Sequence, residues 1–385
     1  MSIFDTISGF HPELTAIRQD LHANPELGLE EHRTSEIVAQ KLASWGIEVH
    51  RNIGRTGVVG VLRKGQGTAT VGLRADMDCL AMDEQTNLPY RSRISGRMHA
   101  CGHDGHTTML LGAAKYLAEH GNFDGTVNFI FQPGEEGAGG ALAMLADRLF
   151  ERFPCERIYG MHNWPGMKVG EFAIAPGPAM AGGAFFDITV TGKGAHGARP
   201  ESSIDPVLVA SHIHTALQSI VSRNVPPADQ AVLSVTKING GDAYNVIPQT
   251  AVLSGTARAF KREILQLIGD NMKRVAQGVA AGFGATAEVD FRVIFAPLIN
   301  DLPRVAEIAD AAAAVVGEAN VERQWPPLVG SEDFSFMMEK ISGAYIFTGN
   351  GDTAEPHHPA YDFNDATTPY GAAMFATLVE QALTV

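Results

Sequence analysis

The stretch MHACGHDGH, residues 98–106, gathers His99, Cys101, His103, Asp104 and His106 in a chain with only 14 histidines and 3 cysteines. Imidazole and thiolate are the side chains that bind borderline divalent metals best. A second stretch, TVNFIFQPGEEG at 126–137, presents Glu135 and Glu136 side by side. Adjacent carboxylates divide readily between two tasks: one binds metal, and the other, held near that charge, works as a base. Asp76 and Asp78 in RADMD form another acidic pair. His162 in GMHNWP and the neighbours His357 and His358 in AEPHHPAYDFND complete the set of candidates. Together they describe a metal centre with a base beside it.

These groups recur at the ends of strand-like segments. Val127, Phe129 and Phe131 alternate as a buried strand does, and Pro133-Gly134 end the run just before the Glu pair. TVGLRADMD at 70–78 reads as a strand closing on Asp76 and Asp78, and positions i and i+2 of a strand share a face. RIYGMHNWP at 157–165 carries His162 in the same place on another strand. Catalytic groups of open α/β sheets collect at that carboxyl edge. A helix is expected over 107–120, with Met109, Leu110, Ala113, Ala114 and Leu117 on one face, so the Cys/His cluster falls in a glycine-bearing turn at its N-terminus.

Upstream, 11–46 reads as two helices, the first ending at Asn24-Pro25 and the second at Gly46. His22 and His32 lie in this region as surface or packing residues. A strand GVVGVLR follows at 57–63, and an alanine-rich helix, GALAMLADRLFE, follows the Glu pair. The middle of the chain differs: from about residue 184 the order is strand, helix, strand, strand, helix, strand, which is ferredoxin-like. That gives an α/β catalytic domain in two parts, 1–181 and 296–385, with a compact α+β domain inserted at 182–295.

Composition narrows the class. A chain of 385 residues suggests two domains, and 45% hydrophobic with 19% charged residues is globular. A formal charge of −14 with no Lys/Arg run argues against a nucleic-acid partner. No apolar run reaches the ~20 residues of a membrane span, and MSIFDTISGFHPEL does not read as a signal peptide. Cys79, Cys101 and Cys155 are too few and odd in number for a disulfide scaffold and fit a reducing cytoplasm.

The segments LHANPELGLEE, RADMD, MHACGHDGHT, FQPGEEG, GMHNWP, GKGAHGARP, GGDAYNVIP, GTAR, GSEDFS and HHP follow one another along nearly the whole chain. Together they resemble the metal-dependent amidohydrolases related to aminoacylase and glutamate carboxypeptidase. Within that group they are similar to the branch of hippurate hydrolases, N-acetyl-diaminopimelate deacetylases and plant auxin-conjugate hydrolases. The resemblance implies a mixed-sheet, zinc-peptidase-like catalytic domain whose ferredoxin-like insert serves for dimerisation and as a lid. It implies two divalent ions per subunit, Mn, Zn, Co or Ni, held by Cys101, His103, Glu136, His162 and His357. Pro359 sets the register that selects His357 over His358. Wider relatives carry His-X-Asp where this chain has Asp76-Met77-Asp78, which leaves the division of labour between the two aspartates open.

Hydrolysis of an N-acyl-L-amino acid to a carboxylate and a free amino acid is the activity the resemblance implies. Glu135 would be the general base, and His196 of the GAH motif, reaching in from a partner subunit, would be the oxyanion donor. Asn245 in NVIP and Arg258 in GTAR would hold the substrate carboxylate. The expected assembly is a homodimer or a dimer of dimers. Two other classes share the residues: a deaminase or other hydrolase on the same dinuclear site, and a non-catalytic metal-binding homologue, which would be expected to have lost Glu135.

Overall fold

The computed structural model describes all 385 residues and divides into two compact units. The first comprises Met1–Ala179, Ile299–Pro326 and Asp333–Val385; the second comprises Met180–Leu298 and Pro327–Glu332. No helix is long and apolar enough to cross a membrane.

The first unit is built on one mixed sheet of eight strands. Its first six are β1 (Glu48–Ile53), β2 (Gly57–Lys64), β3 (Thr70–Asp76), β4 (Gly125–Gln132), β5 (Arg157–Trp164) and β6 (Phe172–Ala173). With the later strands Val321–Glu322 and Gly343–Gly349, the order across the sheet is β1, β2, β4, β3, β5, Gly343–Gly349, β6, Val321–Glu322. β3 runs parallel to both β4 and β5, and β5 runs parallel to Gly343–Gly349. Four adjacent parallel strands therefore end at one edge, which brings the segments after Asp76, Gln132, Trp164 and Gly349 together. Leu73, Phe129, Phe131 and Tyr159 are fully buried, as strands covered on both faces require.

Four helices of this unit precede β4: α1 (Ile3–Gly9), α2 (His11–Ala23), α3 (His32–Ser44) and α4 (His103–Glu119). α4 is buried along nearly its whole length, with Leu110, Ala113, Ala114 and Leu117 at 0% exposure. It starts at His103, four residues before the apolar periodicity indicated, because its first turn is made of polar residues that hydrophobic spacing cannot reveal. The expected single helix over GALAMLADRLFE is two, Gly140–Ala146 and Leu149–Arg152, since Arg148 takes a left-handed φ of 60° between them. Of the two N-terminal histidines, His32 is exposed and His22 is fully buried.

The second unit carries an antiparallel four-stranded sheet in the order Ala231–Asn239, Thr250–Ala259, Gly182–Thr191, Thr286–Phe295. Helices Pro206–Arg223 and Arg262–Gly282 bury Val209, Ile213 and Leu217, and Leu265, Ile268 and Met272, in one core with Phe186, Ile188 and Leu253 of the sheet. The first of these helices opens on an Asp-Pro signal: Asp205 Oδ1 accepts from the backbone of Val207 at 2.9 Å, and Pro206 occupies the first turn.

A buried ionic cluster ties α2 to the start of α4. His22 Nδ1 donates to Asp104 Oδ2 at 2.8 Å, and Arg18 Nε and Nη2 donate to both oxygens of Asp365 at 2.7 and 2.8 Å. Burial alone would lower the His22 pKa, but bonds to Asp104 and Glu84 outweigh it and lift the pKa to about 9. A histidine whose folded pKa lies above its unfolded value stabilises fully below the unfolded pKa of 6.5 and loses that contribution as pH rises through about 9. His22→Gln should therefore cost up to about 3 kcal/mol at pH 6 and much less at pH 10, as measured by urea unfolding at both values. A destabilisation of equal size at both values would show that His22 is held neutral.

Candidate metal centre

The parallel edge supplies the donors. β5 presents His162 two residues before its end, and the turn after β4 presents Glu135 and Glu136. The segment before α4 presents Cys101, and the first residue of that helix is His103. The loop after Gly343–Gly349 carries His357, whose backbone N–H donates to Ala100 O at 2.7 Å, next to Cys101. His357 has a left-handed φ of 64°, a conformation a non-glycine residue holds only where its surroundings enforce it.

The potential ligand atoms converge in overlapping groups. Cys101, His103 and His162 form one, Cys101, Glu136 and His357 a second, and His103, Glu135 and Glu136 a third, with the atoms of each group within 4.8 Å of one another. Cys101 Sγ lies 3.3 Å from His162 Nε2, and His357 Nε2 lies 3.2 Å from Glu136 Oε1. Cys101, His103 and Glu136 each belong to two of these three groups, so they link the other donors together. His103 Nε2 is buried without a hydrogen-bond partner, and Glu136 Oε1, equally buried, makes no hydrogen bond beyond its ion-pair contact with His357 Nε2. Orphaned buried donor atoms of this kind are rare unless something else satisfies them. A thiolate, imidazoles and a carboxylate around such a gap fit late first-row divalent ions.

The two aspartates of RADMD do different things. Asp78 accepts from His103 Nδ1 through its backbone O at 2.9 Å and Oδ1 at 3.2 Å, and its Oδ2 accepts from Glu136 N at 2.9 Å. It thereby turns the His103 Nε2 atom toward the centre and fixes the Glu pair. Asp76 accepts from Arg74 Nη1 at 2.7 Å and from His106 Nδ1 at 2.6 Å. Asp76, His103 and His106 form a further potential ligand group. His106 stands three residues from His103 on the same helix, a spacing that places both on one face and that could have singled it out.

Burial and neighbours set the proton states. Burial would lower the His103 pKa, but Asp76 and Cys101 carry it well above its usual value. The Cys101 thiol is pushed up by burial and then by Glu136. His162 is held well below its usual range by burial and by His106, so it is neutral and ready to donate a lone pair. His357 is raised to about 10 by its contacts with Cys101 and then Glu136. Glu135 is only 7% exposed, and its Oε1 lies 3.4 Å from the backbone N–H of Asp333.

The remaining candidates lie in the second unit. Ala195–His196 pairs with Val246–Ile247, and Gly197 N donates to Asn245 O at 2.7 Å, so the His196 and Asn245 loops are neighbours. Arg258 sits on Thr250–Ala259, with Nη1 donating to Thr256 Oγ1 at 2.6 Å and to Ala257 O at 3.1 Å. Burial alone lowers its pKa, and it has no carboxylate partner. His358, back in the first unit, is exposed, and its Nδ1 accepts from Ala360 N at 3.0 Å.

Residues 72–381 match the family model described as peptidase family M20/M25/M40. The hippurate hydrolase of Campylobacter jejuni is 43% identical over 98% of each chain. An IAA-amino acid hydrolase of Arabidopsis thaliana, ILR1-like 4, is 39% identical over 97% of this chain and 86% of its own. The crystal structure of the Bacillus subtilis YXEP protein, described as a dinuclear metal binding peptidase, superposes with a TM-score of 0.85 at 35% identity, covering 98% of this chain and 99% of that one. With the match spanning most of its length and a centre of divalent-metal donors at the sheet edge, the chain belongs to peptidase family M20/M25/M40.

Proposed function

We propose that the protein hydrolyses the amide bond of N-acyl-L-amino acids, releasing a carboxylate and a free amino acid. The observation that carries this reading is that Glu135 falls within one donor group with His103 and Glu136, beside a Cys/His/Glu cluster. The similarity to hippurate and IAA-amino acid hydrolases supports the substrate class.

Cys101, His103, Glu136, His162 and His357 are the residues that would hold two divalent ions. Such ions, when bound, lower the pKa of water and polarise a substrate carbonyl. The ions are Zn, Mn, Co or Ni; the thiolate of Cys101 favours the late members of that set. Glu135 takes the proton of the attacking water and delivers it to the departing nitrogen. Its low exposure keeps that proton from exchanging with bulk water between the two transfers. Asp78 holds His103 and Glu136 in place, and Asp76 supports the layer behind them. Arg258, a half-buried cation with no acidic partner, is suited to a substrate carboxylate, with Asn245 as a second donor. His196 is the donor to the tetrahedral oxyanion, supplied across a homodimer formed through the second unit.

Each role has a measurable consequence. Glu135→Gln keeps size and metal geometry, so turnover on an N-acyl amino acid such as hippurate should fall at least ~100-fold with metal content near normal. Near wild-type turnover would remove Glu135 from the mechanism. Released product is scored as free amino acid; release of ammonia would identify a deaminase instead.

Metal loading must displace protons from Cys101 and from His357, whose metal-free pKa is raised to about 10. Zinc titration at pH 7 in buffers of different ionisation enthalpy should therefore show proton release, and affinity should rise with pH. Cys101→Ser should lower both occupancy and activity. Full occupancy of two sites in that variant would show that the thiol only packs.

The assembly is tested by subunit exchange between Glu135→Gln and His196→Ala. Hybrid dimers would combine an intact base on one chain with an intact donor on the other. Random exchange should restore about one quarter of wild-type activity if sites are independent. Verified exchange with no recovery would show that His196 does not act between chains.

A further inference from the structure

Asn163 is the residue that follows His162, at 0% exposure, and the mechanism above leaves it unused. Its polar atoms all reach segments that carry metal-centre donors. The backbone O accepts from His162 Nδ1 at 2.6 Å, which turns Nε2 of that ring toward Cys101. The backbone N lies 3.1 Å, and the side-chain Oδ1 2.7 Å, from His106 Nε2, on the helix that begins with His103. The Nδ2 group donates to the hydroxyl of Tyr361 at 2.6 Å, and Tyr361 stands four residues beyond His357 in the same loop.

The fourth tie is steric. Gly102, between Cys101 and His103, has a φ of +93°, and a Cβ there would run into Asn163 Oδ1 and the Tyr361 hydroxyl. The backbone between the two donors thus lies directly against the Asn163–Tyr361 pair, closer than any side chain would permit. Tyr361 is itself at 0% exposure, with its phenol pKa driven well above the usual value by burial, so its hydroxyl keeps its proton.

We infer that Asn163, with Tyr361, is a positioning residue that locks the His162, Cys101–His103 and His357 segments into one metal cradle. Three segments far apart in sequence meet on one amide group. A buried amide held between such segments resists reorientation. A purely structural role would make the metal-free protein less stable and leave the bound ion's surroundings alone. A positioning role predicts the reverse emphasis: altered metal affinity and geometry in a protein that still folds.

The inference rests on the metal-centre reading and is tested with cobalt(II) titrated into metal-free wild type, Asn163→Ala and Tyr361→Phe. The readouts are the thiolate-to-cobalt charge-transfer band, the ligand-field bands and stoichiometry, with thermal unfolding of each metal-free protein. Asn163→Ala should bind cobalt about 10–100-fold more weakly, the range typical of groups that orient ligands, with shifted ligand-field bands. Tyr361→Phe deletes one hydroxyl and should lose about threefold to tenfold. Asn163→Asp keeps the side chain's shape and should recover part of the Asn163→Ala loss.

A folded Asn163→Ala that binds cobalt with wild-type affinity and spectrum overturns the inference. Should that variant not fold, Tyr361→Phe decides alone: unchanged affinity and spectrum overturn it, and weakened binding at unchanged metal-free stability supports it. Failure of wild type to bind cobalt would sink the metal-centre reading instead, so the two failures are told apart.

Discussion

A buried polar atom without a partner is costly, and this fold brings one, His103 Nε2, to the edge of its sheet beside the buried Glu136 Oε1, which faces His357 Nε2. Rotating the His103 ring does not relieve its Nε2, because the other ring nitrogen is engaged. His103 is held at Nδ1 by Asp78, and Glu136 is anchored through its backbone N–H by the same aspartate. The protein therefore spends a hydrogen-bonding residue on keeping these donor atoms in place. That arrangement makes physical sense when a cation takes the position between them, and the neighbouring Sγ of Cys101 and Nε2 of His162 and His357 are the right atoms to complete its surroundings.

The support extends backward in layers of opposite charge. Behind His103 and His106, Asp76 is drawn well below the usual carboxylate range: burial opposes its ionisation, but His103, His106 and Arg74 outweigh that cost. Arg74 Nε in turn donates to Gln132 Oε1 at 2.9 Å, and Gln132 Nε2 donates to Asp333 Oδ1 at 2.6 Å. Asp333 also accepts from the backbone of Ala141 at 3.0 Å, fixing the helix after the Glu pair. On the other side of α4, Asp104 answers His22 and Arg18. The first turn of that helix thus carries two acids' worth of buried contacts, and its N-terminal dipole favours each carboxylate that faces it.

The sheet edge was legible in the sequence because buried strands leave alternating or continuous apolar runs, as Val127, Phe129 and Phe131 do, and the reactive residues follow those runs directly. The chemistry-bearing segments were legible because metal donors are rare residue types, and here they stand close together between 98 and 106. The supporting residues were not. Arg18 and Asp365 are separated by 347 positions, and Gln132 and Asp333 by 201, and no local pattern announces such pairs. The true start of α4 was hidden for a related reason: His103, Asp104 and His106 are buried for their polar contacts, so the helix turn they form shows no apolar period. Asp76 and Asp78 looked alike on a strand, yet the strand ends at Asp76, and the change of direction after it sends the two side chains to different partners.

The turn at Glu135 and Glu136 shows how neighbouring residues acquire unlike roles. Gly134 has a φ of 59°, and its N–H donates to Glu31 Oε1 at 2.8 Å, while the other oxygen of Glu31 accepts from Thr56 Oγ1. Glu31 is fully buried, and burial, with the nearby charge of Asp78 adding to it, raises its pKa to about 7. Ionising a carboxyl there is expensive, so its retention at that spot is best explained by what its oxygens hold. They fix the N–H of Gly134, one residue before Glu135, while Asp78 fixes the N–H of Glu136. With the backbone held at Gly134 and at Glu136, the turn between them is fixed on both sides of Glu135. Glu136 meets His357, and Glu135 stays beside His103 within one group of potential ligand atoms.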